Sequence, residues 1–385
     1  MTGSPSTIII GTGLAGYTLG REIRKIDPQC RLTFITADDG LSYSKPMLST
    51  GFSKNKTADD LVMQDIHTLQ TSLNAEIITH TQVTKLSPET NTITFLNEVR
   101  TYDKLVLALG SRCIDMRFPG DAQDDVVSVN SLADYRIFRQ RLEGKKHVFV
   151  IGAGLIGCEY ANDLSSGGFT VECVDTQAGA LSGLLPSEAA SAVTDALESN
   201  CGVSFHFNTS VERIDKLGDQ FNIMLSNGTQ VVTDIVLSAV GVKANTSLAQ
   251  HSGLSINKGI TVNRLLQTSH PSIYALGDCA EVEGHLLYYV MPLMTCARAL
   301  AKTITGTPTD VVYGPMAVGI KTPVCPVQTV PVPHNEKGTW SISGDARNVK
   351  ALFKNDADEL LGFALTGNQV SEKSALLKSL PPVLA

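Results

Sequence analysis

The sequence predicts an α/β protein in which one parallel-sheet unit occurs twice and a small α+β tail follows. Three observations predict it. A β-branched run opens onto a glycine-rich turn and a helical pattern near the N-terminus, the same pattern returns about 140 residues later, and the chain turns Pro-rich and irregular beyond residue 320. A length of 385 residues fits two or three domains at roughly 100 to 200 residues each. A hydrophobic content of 43% with 32 glycines provides for a large core and many tight turns, which excludes wholesale disorder.

The first element is the short strand Thr7-Ile8-Ile9-Ile10, followed by Gly11-Thr12-Gly13-Leu14-Ala15-Gly16 and a helical pattern through Arg24. The next strand, Leu32 to Ile35, ends in Thr36, and the apolar stretch Thr101 to Gly110 reads as a strand returning to the same sheet. The second unit begins with His147 to Ile151, then Gly152-Ala153-Gly154-Leu155-Ile156-Gly157, a helix, and a strand from Phe169 to Asp175. Thr233 to Gly241 takes the place of the returning strand. A helical pattern from Met291 to Ile304 precedes Gly306-Thr307-Pro308, Pro315 and the Pro-rich stretch 323–333. The expected division is 1–112 with 246–318 as the first unit, 113–245 as the second, and 319–385 as the tail.

The glycine spacing carries the first chemistry. In G-x-G-x-x-G the first glycine permits the strand-to-helix turn, the second lets a pyrophosphate approach the backbone, and the third allows close helix–strand packing. The helix N-terminus then offers N–H donors and partial positive charge to the phosphates. One copy is a weak signal, but two copies, each between a strand and a helix, predict two dinucleotide sites. Asp175 stands at the end of the second strand of its unit, where a carboxylate accepts hydrogen bonds from an adenosine ribose and repels a 2′-phosphate, so NADH is expected over NADPH. In the first unit the same place holds Thr36, with Asp38 and Asp39 just beyond, and the residue that holds the ribose stays open.

Charge and composition exclude other classes. With 31 Lys plus Arg against 38 Asp plus Glu, the formal charge of −7 argues against a general nucleic-acid binder or a protein of anionic membrane surfaces, although a local basic patch stays open. No apolar run reaches membrane-spanning length, and Met1 to Ser6 leads directly into the first strand, so a cytoplasmic protein without membrane insertion is expected. The eight cysteines form no close pair and the eight histidines no ligand motif, so neither a disulfide framework nor a metal is expected. Cys158 and Cys279 read as small buried hydrophobes. Neither periodicity nor charge marks a dimer face, leaving monomer and dimer both open.

The two units together with Thr268-Ser269-His270-Pro271-Ser272-Ile273-Tyr274-Ala275-Leu276-Gly277-Asp278 resemble the flavoprotein reductases with two Rossmann-like dinucleotide-binding domains, the glutathione-reductase-like architecture, over about residues 6–305. Ser42-Tyr43-Ser44-Lys45-Pro46-Met47-Leu48-Ser49, Ile320-Lys321-Thr322-Pro323 and the short tail are most similar to bacterial rubredoxin reductases. The resemblance implies FAD in the first unit and NADH in the second. It places Gly11, Gly13, Leu14, Ala15, Gly16, Thr36, Lys45, Pro46, Val83, Ala108, Gly110, Gly277, Asp278, Met291, Pro292 and Lys321 at FAD. For NADH it implies Gly152, Gly154, Leu155, Ile156, Gly157, Glu159, Asp175, Val240 and Gly241.

By the same resemblance Asp278 bonds the ribityl chain, and Lys45 lies near flavin N5 with Glu159 as its paired carboxylate. Met291-Pro292 opens a helix whose dipole faces the flavin N1/C2=O edge, where Lys321 adds positive charge. Lys45, Glu159 and Lys321 are thus the expected catalytic charges. Without a close cysteine pair, electrons leave the flavin without a dithiol relay. The resemblance therefore implies NADH-to-rubredoxin electron transfer, supporting alkane hydroxylation or oxidative-stress defence. A ferredoxin reductase of an oxygenase system, a flavin-based redox sensor and an O₂-using NADH oxidase stay open beside it.

Overall fold

The structure, a computed structural model, describes residues 6–333 and 335–385. The segment Met1–Pro5, on which the expectation about the N-terminus rests, lies outside the described residues.

The first unit is a five-stranded parallel sheet in the order Ile273–Ala275, Lys104–Leu107, Ser6–Ile10, Arg31–Ile35, Ala75–Ile78. Its central strands are buried on both faces, as a parallel sheet requires, and Ile9, Phe34 and Val106 are sealed from solvent. Helix Leu14–Ile26 covers one face and packs against helix Val290–Ile304, which starts one residue before the sequence pattern suggested.

The second unit repeats the design with four parallel strands in the order Ser204–His206, Thr170–Val174, His147–Ile151, Ile235–Ser238. Helix Leu155–Ser166 leaves its glycine loop, and an antiparallel meander of Val211–Leu217, Gln220–Leu225 and Gln230–Thr233 covers the opposite face through Ile214, Ile223 and Leu225. Strands Ser111–Cys113 and Val242–Ala244 pair antiparallel where the chain passes between the units. The tail is a five-stranded antiparallel sheet in the order Val318–Ile320, Val327–Val330, Leu360–Thr366, Val349–Asn355, Gly338–Gly344, closed by short helical turns over 367–377. The expected fold class, two like α/β units and a small α+β domain, is therefore borne out.

Candidate dinucleotide sites and the charged groups between them

The glycines of each loop divide by what surrounds them. A Cβ on Gly11 would stand 2.2 Å from the Ala108 carbonyl oxygen, and one on Gly16 would stand 2.1 Å from the Gly11 oxygen. In the second loop the distances are 2.8 Å from the Ala239 oxygen for Gly152 and 1.8 Å from the Gly152 oxygen for Gly157. Gly11 and Gly152 also hold positive φ, +111° and +103°. These four glycines serve the protein's own packing. Gly13 and Gly154 do not, because among the described residues nothing lies within 4 Å of a Cβ on either.

The space over each middle glycine adjoins a helix end. Gly13 and Gly154 cap helices Leu14–Ile26 and Leu155–Ser166 without a side-chain hydrogen bond, and neither first turn carries an acidic residue. Backbone donors, a positive dipole end and room for close approach coincide in both loops, so the residues present fit the pyrophosphates of two dinucleotides.

The carboxylates beside these loops differ. Asp175 follows the strand Thr170–Val174 directly, and its Oδ2 accepts the Ala153 N–H at 2.6 Å while its Oδ1 accepts Gln177 N–H at 2.8 Å. In the first unit Asp38 does the corresponding work from two residues further on. Its Oδ1 accepts from the hydroxyls of Thr36 (2.6 Å) and Thr12 (3.2 Å) and from Gly40 N–H (2.9 Å). Thr12 occupies in its loop the place of Ala153, so each carboxylate ties a strand end to its own glycine loop.

Between the two loops lies a charged cluster. Lys45 begins the 3₁₀ turn Lys45–Thr50, and its Nζ stands 3.4 Å from Ser111 Oγ and 3.8 Å from Asp278 Oδ2. Ser111 Oγ donates to Asp278 Oδ2 at 2.7 Å. Gly277, at φ +76°, brings Asp278 over the first turn of the first helix, where a Cβ would meet Ala15 Cβ at 2.8 Å. Lys45, Ser111 and Asp278 thus converge beside the first glycine loop.

The expected pairing of Lys45 with Glu159 is not what the structure shows. Glu159, 1% exposed on helix Leu155–Ser166, forms an ion pair with Lys321. The same carboxylate accepts the Lys321 backbone N–H at 2.9 Å and the Ser49 hydroxyl at 2.5 Å. Lys321 Nζ also donates to Pro46 O (2.7 Å) and Ser49 Oγ (3.0 Å). The reason is direction: the Lys45–Thr50 turn offers Ser49 to the second unit's helix and Lys45 to Asp278. Strand Val318–Ile320 then delivers Lys321 to the buried carboxylate. Lys321 accordingly sits with Glu159.

One turn along the same helix, Asp163 accepts Phe52 N–H (2.8 Å), Ser53 N–H (3.0 Å) and the Ser53 hydroxyl (2.5 Å), while Asn162 Oδ1 accepts Val324 N–H at 3.4 Å. A buried carboxylate is costly unless its oxygens find a counter-charge or hydrogen-bond donors: Glu159 has both, and Asp163 has three donors. Sequence reasoning missed Ser49, Asn162 and Asp163. The signal was available in Glu159, Asn162 and Asp163, polar residues spaced i, i+3, i+4 on one face of an otherwise apolar helix.

The remaining expected residues occupy varied settings. Val83 and Ala108 are buried, Gly110 and Gly241 hold positive φ, and Val240 and Leu14 are half-buried. Leu155 is half-buried and Ile156 exposed beside Gly154. Met291 is exposed and Pro292 buried in the first turn of helix Val290–Ile304, whose cap residue Tyr289 makes no side-chain cap bond. Cys158 and Cys279 are fully buried; burial pushes the Cys279 thiol up to about 12 and the Cys158 thiol further. Among the described residues no His, Cys, Asp and Glu group is arranged for a metal.

Residues 5–301 match the family described as pyridine nucleotide-disulphide oxidoreductase. The chain belongs to this family. A pyridine nucleotide-disulphide oxidoreductase with these two loops uses FAD and NADH, as expected. Residues 310–380 of this oxidoreductase match a second family, the rubredoxin binding C-terminal domain. It is 46% identical over 379 residues to a rubredoxin-NAD(+) reductase of Alcanivorax borkumensis, covering 98% of this chain and 99% of that one. It is 36% identical to a nitric oxide reductase FlRd-NAD(+) reductase of Vibrio vulnificus, covering 98% of both chains. Among solved structures, a ferredoxin reductase from Rhodopseudomonas palustris superposes with a TM-score of 0.86 at 27% identity, covering 98% of this chain and 95% of the other.

Proposed function

We propose that the protein is an NADH-dependent rubredoxin reductase, in which one NADH and two oxidised rubredoxins give NAD⁺, a proton and two reduced rubredoxins. The observation that carries this reading is 46% identity to a rubredoxin-NAD(+) reductase along nearly the whole of both chains, joined to the rubredoxin-binding match over 310–380. Bound FAD supplies the conversion of a two-electron donor into one-electron deliveries.

The chain's own residues bind, orient and balance charge. Gly13 and the N-terminus of helix Leu14–Ile26 receive the FAD pyrophosphate, and Asp38, held by Thr12, Thr36 and Gly40, presents its free Oδ2 to the adenosine ribose. Asp278, oriented by Ser111, takes the ribityl hydroxyls, with Lys45 beside it. Gly154 and its helix receive the NADH pyrophosphate, and Asp175 takes the ribose and disfavours NADPH. Lys321 brings a positive charge to the nicotinamide side, while Glu159 and Ser49 hold it in one place and Glu159 balances it. Residues 1–112 with 246–318 form the FAD-binding domain, 113–245 the NADH-binding domain and 319–385 the small docking domain. Among the described residues no helix is long and apolar enough to cross a membrane. The place proposed for the reaction is the cytoplasm, in support of alkane hydroxylation or oxidative-stress defence.

A second reading, a ferredoxin reductase, is favoured by the superposition on the Rhodopseudomonas palustris enzyme. Anaerobic NADH-driven reduction of rubredoxin and of a [2Fe-2S] ferredoxin, at equal carrier concentration, separates the two. Fast rubredoxin reduction with little ferredoxin reduction is expected, and the reverse preference overturns the proposal. Rubredoxin turnover is also expected to fall with salt while NADH-to-dye activity stays flat, because only the first depends on charge-steered encounter.

A further inference from the structure

The turn that carries Lys45 belongs to the first unit by sequence but is seated in the second. Leu48 and Phe52 are buried in the core that contains Phe138, Val150 and Leu164 of the second unit, and not in the core of the first parallel sheet. The Phe52 ring fills an aromatic socket, with Tyr135, Phe138 and Phe169 at 5.4, 5.4 and 5.9 Å between centroids and the Arg139 guanidinium 5.0 Å from its own centroid. Gly51 leaves no space for a side chain, since a Cβ there would stand 2.2 Å from the Tyr135 hydroxyl oxygen. That hydroxyl and Arg139 both donate to Lys56 O, at 3.0 and 2.6 Å.

Asp163 grips the backbone of this segment. It is 3% exposed and accepts two successive main-chain N–H groups, from Phe52 at 2.8 Å and Ser53 at 3.0 Å, together with the Ser53 hydroxyl at 2.5 Å. All three donors come from the one segment, so the carboxylate's burial is offset by holding it. The Glu159 side takes hold differently, through the Ser49 hydroxyl and the Lys321 ammonium on Pro46 O, groups that turn about side-chain bonds. At the start of the same turn Lys45 is 38% exposed, and its ammonium lies 3.8 Å from Asp278 and 3.4 Å from Ser111. Contacts that long and that exposed do not fix a lysine. Its place is set by the backbone of the turn, and the backbone is set by the second unit.

We infer that Asp163 is a positioning residue for Lys45: by gripping the Phe52 and Ser53 N–H groups it keeps the Lys45 ammonium beside Asp278 and bound FAD. The inference rests on the reading above that puts Lys45 at the flavin. A cation there favours the reduced flavin, which carries more negative charge, and so raises its midpoint potential. Asp163 touches neither coenzyme in this account and acts only through the chain it holds.

The test is the midpoint potential of bound FAD in the full-length, FAD-loaded parent, Lys45→Ala, Asp163→Asn and the double variant. Asparagine keeps the shape of Asp163 but turns an NH₂ group toward one of the backbone donors. Two effects then differ in sign. Removing a negative charge by itself raises the potential, whereas releasing Lys45 lowers it. Asp163→Asn is expected to lower the potential by a large part of the fall that Lys45→Ala gives, and to lower it no further in the chain that already carries Lys45→Ala. Ser53→Ala changes no charge and removes one donor to Asp163, so a smaller fall in the same direction is expected. If Asp163→Asn does not fold, Ser53→Ala decides the matter, and an unmoved potential there overturns the inference. A merely structural Asp163 would lower unfolding stability and leave the potential alone. A potential unchanged or raised by Asp163→Asn, or an equal fall with and without Lys45, therefore overturns the inference while leaving Lys45 at the flavin. A Lys45→Ala potential equal to the parent's overturns the reading of Lys45 itself, and the inference with it.

Discussion

The two helices that leave the glycine loops begin alike and then diverge. In the first, Gly16 is followed two residues on by buried Thr18, and the helix beds against helix Val290–Ile304 through small and apolar side chains. In the second, Gly157 is followed two residues on by buried Glu159, and the helix reaches outward with Asn162 and Asp163 as well. Those three side chains bind residues 49–53 of the first unit's sequence and 321–324 of the tail. The first helix builds one domain, whereas the second joins three stretches of chain. Repetition of a backbone motif thus preserves the loop and leaves the outer face of the helix to be respecified.

That contrast breaks most visibly at Glu159. Glu159→Ala leaves the Lys321 ammonium and the Ser49 hydroxyl without their acceptor. Because Lys321 is about a third exposed, the expected loss lies at or below the lower end for a broken buried pair, about 3 kcal/mol, read by denaturant unfolding of the FAD-loaded protein. Thr18→Ala, at the equivalent place in the first helix, is expected to cost under about 1 kcal/mol, since it has no ionic partner to strand. Equal losses from the two variants would remove the distinction drawn here.

The next contrast lies within each loop. Gly157→Ala drives a Cβ into the Gly152 carbonyl and is expected to cost about 1 to 3 kcal/mol or more of stability. Gly154→Ala meets only open space, so stability should hold within roughly 0.5 kcal/mol while NADH affinity falls. Gly16→Ala and Gly13→Ala should reproduce the split with FAD in place of NADH. Unfolding curves and coenzyme titrations on the same four proteins check it, and a Gly154→Ala variant that unfolds easily without losing NADH affinity would reassign that glycine to packing.

The carboxylates sharpen the comparison further. Asp175→Ala should raise the NADH requirement and narrow the preference over NADPH, a charged hydrogen bond being worth roughly 1.5 to 3 kcal/mol. Asp38→Ala should weaken FAD retention by a similar or smaller amount, since Asp38 is exposed and its effect is diluted by solvent. Retention unaffected by Asp38→Ala would leave Thr36 as the ribose partner.

How much of this was legible follows from which part of the chain does the work. Strands, loops and fold class were readable because they depend on local backbone needs: β-branched runs, a glycine at positive φ, and a third glycine pressed on the first. That Asp175 lies beside its glycine loop was readable because it stands directly at a strand end. The contact of Asp38 with its own loop was not, because a carboxylate can reach that loop from two residues away through the Thr12 and Thr36 hydroxyls. The partner of Glu159 was not, because the choice between Lys45 and Lys321 depends on how a 3₁₀ turn faces a helix from another unit.

The smallest contrast concerns two further equivalent acids, Asp103 and Asp234, each just before the returning strand of its unit. Asp103 accepts the Ser6 N–H at 2.7 Å and the Ser6 hydroxyl at 3.0 Å. Asp234 accepts the N–H groups of Lys146 (2.8 Å) and His147 (2.9 Å), and Gln220 Nε2 at 2.9 Å. The Ser6 backbone N–H holds Asp103 below the usual carboxylate range. Burial alone would raise Asp234, but the donors from Lys146, His147 and Gln220 outweigh it and hold it low as well. A carboxylate whose folded pKa is depressed adds stability that is present above the unfolded value near 3.9 and lost as pH falls through the folded value. Asp103→Asn and Asp234→Asn should therefore each cost about 1 kcal/mol or less at neutral pH, both groups being well solvated. The cost should begin to shrink as the pH falls below the unfolded value near 3.9 and vanish only below the lower folded values, where Asp103 and Asp234 are themselves protonated. Stability curves of the parent and both variants from neutral to acid pH measure this, and variants that run parallel to the parent at every pH would show that neither acid pins its strand through charge.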